Sequence, residues 1–574
     1  MNRDGMLEET VVAANIHADL IEEGGFFAVR LNSGNGSLVL APPTFSISGT
    51  SASPVSLVRV SDSQVVFGRV RECIATFGFG DAFPQLNLEV IVRSVYDSPV
   101  FRFCYRLLSA EPLALTKPDG TDVLAYFTLD FARVNDYGEP IAAKEIRFAE
   151  FNSLFHSFML SETPLGTKDF AAERSIVGPF LVVGAKEGPS GLVAYEHGSQ
   201  SNDPFLSYQL HPSGTAATLR AVKGNYWHGQ VIAPDTPFES LWFQVALVDD
   251  DEDTLAGTYR HWALRHQTPN TESRKPYIFY NTWNYQERVF NQHKKPYLSD
   301  MNEARMLAEI DAAHEMGIEV FVIDTGWYHK TGDWRVSPER FPNGLAAINA
   351  KLSEYGMKLG LWFNPIVAAT SSEMYQNHHD CVMTWDGSPR DPEPIWETES
   401  SYSLSLVSRY WDAFAEELIR CHNELKVTYF KWDAIAQYGG DGANLFHGTD
   451  ENSTKERREC YGFLLGRYMT KVVDKLCAAC PDAIVDFDIT EGGRTVGLQF
   501  LSAGKYFLIN NGPYNWDYNM PLPADGNVNL FFHPGPARAW ICRAPLSYDK
   551  WIPSVLFLTH YLPDDTHTAG WGGK

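Results

Sequence analysis

Between residues 277 and 511 the chain alternates short apolar runs with amphipathic helical ones, and the apolar runs stop on polar or aromatic residues. The runs are YIFYNTW, EVFVIDTGW, KLGLWFNP, VTYFKWD, AIVDFDI and KYFLINN, and helices are expected over 300–316, 344–355, 405–423 and 454–479. Strands buried on both faces read as continuous apolar runs, and parallel strands need a helix to carry the chain back. The pattern predicts a (β/α)8 TIM barrel with its chemistry at the strand C-termini, in NTW, DTGW, WFNP, KWD, DITEGG and INNGP. Six strands are legible before the closing HTAGWGGK, so a barrel incomplete at its C-terminal end is expected.

Up to about residue 250 the texture differs. Alternating segments such as Gln64–Val70, Gln85–Val92 and Phe101–Leu107, set between Gly, Pro, Ser and Asp, predict a large β-sandwich. DEDTLAGTYRHWALRHQ then reads as a helix and TPNTESRKP as a polar linker. A multidomain chain follows, with an all-β domain over 1–270 and the barrel over 271–574.

A net charge of −24 argues against nucleic acid or an anionic membrane as partner. The start, MNRDGMLEETVVAANIHADL, has no basic segment followed by an apolar run, and no stretch is long and apolar enough to span a bilayer, so a cytoplasmic protein is expected. Eight irregularly spaced cysteines make no disulfide scaffold, and Cys477 and Cys480 lack a second ligand pair. His378 and His379 are adjacent and point apart, so no metal and no cofactor are expected. Dinucleotide, P-loop and nucleophile-elbow fingerprints are absent. Trp, Tyr and Phe number 15, 26 and 35, which suits the flat faces of sugars and equally suits large cores.

Asp433 ends the run Val427–Trp432 where a Gly-rich loop begins. A carboxylate there, beside Lys431, is placed to attack an anomeric carbon, although an Asp at a strand end also caps helices. Four separated segments, its own among them, weigh on the choice. Asn281-Thr282-Trp283 ends the first strand; Asp324-Thr325-Gly326-Trp327 ends the second and is followed by Gly332-Asp333-Trp334 and Phe341-Pro342-Asn343-Gly344-Leu345. Lys358-Leu359-Gly360-Leu361-Trp362 and Tyr429-Phe430-Lys431-Trp432-Asp433 follow in order. In this order the segments resemble those of bacterial α-galactosidases, the melibiase or glycoside hydrolase family 36 group. The resemblance covers about 275–515, and the preceding region is similar in kind to that family's N-terminal supersandwich.

The resemblance implies a retaining exo-glycosidase acting on terminal α-galactose-like residues by double displacement, with Asp433 as nucleophile. It implies that Trp283, Asp324, Trp327, Trp362 and Lys431 bind the sugar, and that the protein is a homo-oligomer with a carbohydrate partner. Two departures bear on substrate and mechanism. Thr325 stands where the family has the second Asp of Asp-Asp-Gly-Trp, which leaves galactose, N-acetylgalactosamine and arabinopyranose open. Asn510 and Asn511, placed at the substrate, stand where the family has its acid/base, and an amide delivers no proton. Asp517 is the first substitute, with Glu491 and Asp488 as alternatives, and Arg494 belongs to a Gly-Gly-Arg segment that meets the sugar. A raffinose-synthase-like galactosyltransferase and a non-catalytic carbohydrate-binding barrel are the competing readings.

Overall fold

A computed structural model describes residues 9–559, except 14–15, 24–25, 35, 66–69, 119–123, 135–140, 153–156, 167–173, 186–187, 200–203, 269, 292, 434–438, 444, 489–495 and 510–545. Two large antiparallel sheets and a small four-stranded one make the described part of the N-terminal all-β region. One has eight strands, from Glu9–Ala13 at one edge to Arg174–Ile176 at the other. The second contains β1 (Leu86–Val95), β2 (Ser98–Ser109) and β3 (Phe243–Val248), paired side by side in the order β1-β2-β3. Successive side chains on a strand point to opposite faces. Phe101, Phe103, Val245 and Leu247 therefore enter the core between the sheets, with Leu38, Phe127 and Leu219 opposite. Val100, Ala246 and Val248 turn the other way, onto α1 (Glu252–Trp262) through Leu255, Ala256 and Tyr259. Because both faces of this sheet are covered, all six residues of β3 are buried.

The second half is built on parallel strands. β4 (Phe279–Asn281), β5 (Val320–Ile323), β6 (Lys358–Phe363), β7 (Val427–Trp432), β8 (Ile484–Asp488), β9 (Lys505–Ile509) and β10 (Phe557–Thr559) pair in that order, each parallel to the next. α2 (Trp283–Asn291), α3 (Glu303–Glu315), α4 (Ala346–Glu354), α5 (Tyr410–Leu425) and α6 (Thr454–Ala479) lie between them in the chain. One side of the sheet carries a small cluster of Val320, Val322, Tyr429 and Ile484, and the other joins the large core that the helices share with α1. Gly360 is what lets the inner cluster close: a Cβ there would lie 2.8 Å from Val322 Cγ2 and 3.2 Å from Tyr429 Cδ1.

All six strands expected from the sequence are present. A seventh, β10, corrects the count of six, and at three residues it is too short to leave a periodic signal. Gln64–Val70 is not one strand: Ser56–Val65 ends within it and Val70–Gly78 begins there. The helices expected at 300–316 and 405–423 begin later, at Glu303 and Tyr410. In the first case Asn302 Oδ1 accepts from Arg305 N at 3.0 Å, which caps the helix. The segment TPNTESRKP is no free linker. Thr268 is fully buried and donates to Leu501 O at 2.5 Å, and Asn270 donates to Ala483 O. Its polar side chains satisfy carbonyls that would otherwise be buried without partners. Among the described residues no helix is long and apolar enough to cross a membrane.

Candidate active site

Alternation along the parallel strands decides which side chains meet at the strand ends. On β7, Tyr429 lies in the inner cluster while Phe430 and Trp432 join the helix-side core, so Lys431 and Asp433 follow Tyr429 inward. By register Trp362 stands beside Lys431. Ile484 is inward on β8, which puts Asp486 and Asp488 on the same side, and Val320 and Val322 on β5 do the same for Asp324.

The result is one ammonium among three carboxylates. Lys431 Nζ lies 2.9 Å from Asp324 Oδ2 and 3.7 Å from Asp488 Oδ2, with all three side chains almost wholly buried. Burial alone would depress the Lys431 ammonium, but Asp324, Asp488 and Asp433 outweigh it and hold the group well above the ordinary lysine value. Asp433 is half-buried and its Oδ2 accepts from Trp362 Nε1 at 3.1 Å. Its backbone N–H donates to Phe363 O at 2.9 Å, which fixes the residue to the neighbouring strand. Asp324 is held from both sides: its N–H donates to Thr282 Oγ1 at 2.9 Å, and its Oδ1 accepts from Thr325 N at 2.7 Å. Carboxylates gathered in this way favour a positive charge developing on a ligand beside them.

Behind this cluster the aromatic motifs form a scaffold. Trp327 is fully buried, donates to Trp362 O at 2.8 Å and stacks on Trp334, so no face of its ring is open to a ligand. Asp333 caps the short helix Glu373–Asn377, accepting from Glu373 N and Met374 N at 3.1 and 3.0 Å. Thr325 is fully buried, and its hydroxyl lies 2.9 Å from the hydroxyl of Tyr328. Tyr328 stacks on Trp362 at 5.9 Å with 14° between the planes. Trp283 is roofed by Tyr297 and Trp396.

The structure thus brings Asp324, Trp362, Lys431, Asp433 and Asp488 together, and sets Thr325 and Trp327 behind them. Glu491, Arg494, Asn510, Asn511 and Asp517 lie outside the described residues. The sequence reading missed Tyr328, although it adjoins Trp327, and Trp396, which belongs to no motif. A cavity of about 950 Å³ lies elsewhere, lined by Arg71, Asp97, Arg265 and His266 of the β region and its junction with α1. It holds no residue of the carboxylate cluster, so the chemistry and not the volume locates this site. His378 and His379 each place Nδ1 on a backbone carbonyl, and among the described residues no group of His, Cys, Asp or Glu could hold a metal ion.

Residues 255–502 match the Melibiase family model. Alpha-galactosidase Mel36A of Lactobacillus acidophilus is 30% identical over 203 residues, which are 34% of this chain and 26% of that protein. The matched segment therefore spans about a quarter of that relative's length. Among solved structures, the alpha-galactosidase of Lactobacillus brevis aligns with a TM-score of 0.66 at 15% identity, over 99% of this chain and 80% of that one. A variant of the GH36 alpha-galactosidase AgaA of Geobacillus stearothermophilus, in complex with raffinose, aligns with a TM-score of 0.64 at 14% identity, over 96% and 78%. At such identities the structural likeness is one of fold. Residues 255–502 form a melibiase-type domain, and the chain shares the multidomain fold of the glycoside hydrolase family 36 α-galactosidases.

Proposed function

We propose that the protein is a retaining exo-glycoside hydrolase that removes terminal α-galactose-like residues through a glycosyl-enzyme on Asp433. The observation that carries this reading is the position of Asp433 at the end of β7, half-open, bonded to Trp362 Nε1 and within the field of Lys431. In the first step a carboxylate oxygen of Asp433 bonds to the anomeric carbon while a second carboxyl group gives its proton to the departing oxygen. In the second that group takes a proton from water, which displaces Asp433. The carboxylates gathered around Lys431 suit the oxocarbenium character of both transition states.

Asp517 remains the first choice for the acid/base, with Glu491 behind it. Asp488 is the weakest of the three, because it is buried and ion-paired with the same ammonium that holds Asp324. The seven parallel strands support the (β/α)8 reading of 271–574, with 1–270 as the sandwich domain. Behind the carboxylates, the Thr325–Tyr328 hydroxyl pair is neutral where the family has a carboxylate. Substrates altered at O6 or C2, the N-acetylgalactosaminides and arabinopyranosides, therefore stand beside plain galactosides.

The test is turnover of aryl α-galactoside, α-N-acetylgalactosaminide and β-L-arabinopyranoside, with the anomer of the released sugar followed by NMR. Release with retained configuration is expected. Asp433→Ala should remove essentially all of it while leaving the circular dichroism spectrum unchanged, and an Asp433→Ala protein that still turns over ends the nucleophile assignment.

A further inference from the structure

Between α6 and the strands β1 and β2 lies a cavity of about 260 Å³. It holds no residue of the carboxylate cluster, and it adjoins the larger cavity through Ser94, Val95 and His266, which line both. Its volume is near the lower end of the ~300–1,000 Å³ of small-molecule sites, so one compact molecule is what it admits. Two polar side chains of its wall come from the two halves of the chain. Gln267 closes the π-helical turn Ala263–Gln267 that follows α1, and Asp474 stands on α6.

Gln267 is 3% exposed, and among the described residues neither its Nε2 nor its Oε1 has a hydrogen-bond partner. A buried amide unmatched at both ends is rare, because each orphaned group forfeits the bond it made to water. The π-helical turn that carries it is itself an uncommon conformation, met mostly at functional sites. Asp474 is exposed and lines the same cavity. The protein around it still pushes its carboxyl up to about 6, against the pull of Arg102 and Arg93.

Charge narrows the ligand. Arg102 is paired with Glu196 at 2.6 Å and Arg93 with Glu72 at 2.8 Å, and both guanidiniums lie over the ring of Trp242, at 4.3 and 4.5 Å from its centroid. With each guanidinium already matched by a glutamate, an anion would meet the Asp474 carboxylate uncompensated. A cation would meet the two guanidiniums. A neutral molecule rich in hydroxyls meets neither objection: one hydroxyl donates to Asp474, and others accept from Gln267 Nε2 and donate to Gln267 Oε1. Its C–H groups face Val95 and Trp262 in the same wall.

The geometry points to this cavity as a second binding site, for one neutral sugar or cyclic polyol, held by Gln267 and Asp474. The site stands independently of the glycosidase reading above.

The experiment titrates the full chain with D-glucose, D-galactose and myo-inositol, and with inorganic phosphate and ethanolamine as charged controls. Binding is read by ligand-observed NMR and unfolding by circular dichroism. At least one neutral probe should bind, and Gln267→Leu and Asp474→Asn should each weaken it about tenfold. Because neither residue belongs to the carboxylate cluster, that loss assigns the binding to this cavity. Without ligand, Gln267→Leu should unfold no earlier than the unaltered protein, since leucine removes an unmatched amide, whereas a glutamine with a structural role alone would lower the midpoint. Asp474→Asn changes an exposed side chain and decides the matter if Gln267→Leu does not fold. No binding of any neutral probe, or binding that both variants leave unchanged, overturns the site and leaves a cavity that holds water alone. Phosphate or ethanolamine bound in place of the neutral probes, and weakened by the variants, overturns the polyol assignment.

Discussion

Two buried ion networks in this molecule are built on opposite principles. In the β region Arg102 meets Glu196 through two bonds of 2.6 Å, Gln244 Nε2 donates to Glu196 Oε1 at 2.7 Å, and Tyr259 donates its hydroxyl to Gln244. Neutral groups fill the remaining hydrogen-bonding capacity of this pair, and Asp474 lies in the field of Arg102 and of Arg93. In the parallel sheet one ammonium faces Asp324, Asp488 and Asp433. The first network is built on a two-bond ion pair, and the second gathers three carboxylates around one ammonium. Bringing several buried like charges together is costly, so it persists where chemistry requires it. On the proposed function, the contrast separates a part that holds the fold from a part that acts.

The largest expected effects come from removing the cation of each network. Arg102→Met and Lys431→Met should each cost about 3–5 kcal/mol in urea unfolding, because each strands buried carboxylate. Their remedies should differ. Adding Glu196→Gln to Arg102→Met removes the pair whole, and most of the stability should return with turnover intact. Lys431→Met should abolish turnover even where the protein is kept folded by low temperature. Equal loss of turnover in the two backgrounds would break the distinction.

The parallel-sheet side of this contrast was legible in the sequence, for a physical reason. Asp324, Trp362, Lys431 and Asp433 each sit at or next to the end of an apolar run, and strands buried on both faces write such runs without interruption. Helix α6 begins where Ser453, the cap, accepts from Glu456 N at 3.1 Å, a pairing visible in the letters. The helix expected at 405 starts instead at Tyr410, since Leu406 and Val407 are buried in the preceding turn and imitate helical periodicity. Asp488 was read as a candidate proton donor, and only the register of β8 against β7 reveals that it faces Lys431. Trp396 carried no signal, because the loop that carries it is held by Glu397, whose backbone partners Tyr297 and Leu298 lie about a hundred positions away in the chain.

A pH titration of stability sharpens the comparison by finding where the regions behave alike. His197 in the β region and His447 in the second half are each pushed down to about 4 by burial. His197 lies between Phe205 and Phe463, and His447 beside Tyr461 with Arg457 and Asp441 near it. Between about 4 and the ordinary 6.5, the unfolded chain binds a proton at each site and the folded chain does not. The stability each contributes is therefore complete above 6.5 and is lost as the pH falls toward 4, at up to about 1.4 kcal/mol per pH unit for each histidine. His197→Gln and His447→Gln should each flatten the slope by one share. A slope that only one of them changes would place the acid sensitivity in one region.

The smallest effect is expected at the hydroxyl pair that distinguishes this site. Tyr328→Phe leaves the buried Thr325 hydroxyl without the partner it has at 2.9 Å, at a cost of about 1 kcal/mol. Thr325→Val should cost a similar amount. The two together should cost less than the sum of the singles, because the double variant removes both partners of that bond and only the contact of Tyr328 with Thr398 is lost besides. In the Arg102 network the corresponding removal should restore stability without touching turnover. Here the double variant should keep most of its stability and still change the ratio of kcat/KM between α-galactoside and β-L-arabinopyranoside, substrates that differ at C6. An unchanged ratio would make Thr325 and Tyr328 part of the scaffold, with Trp327 and Trp334, and leave sugar selection to the carboxylates around Lys431.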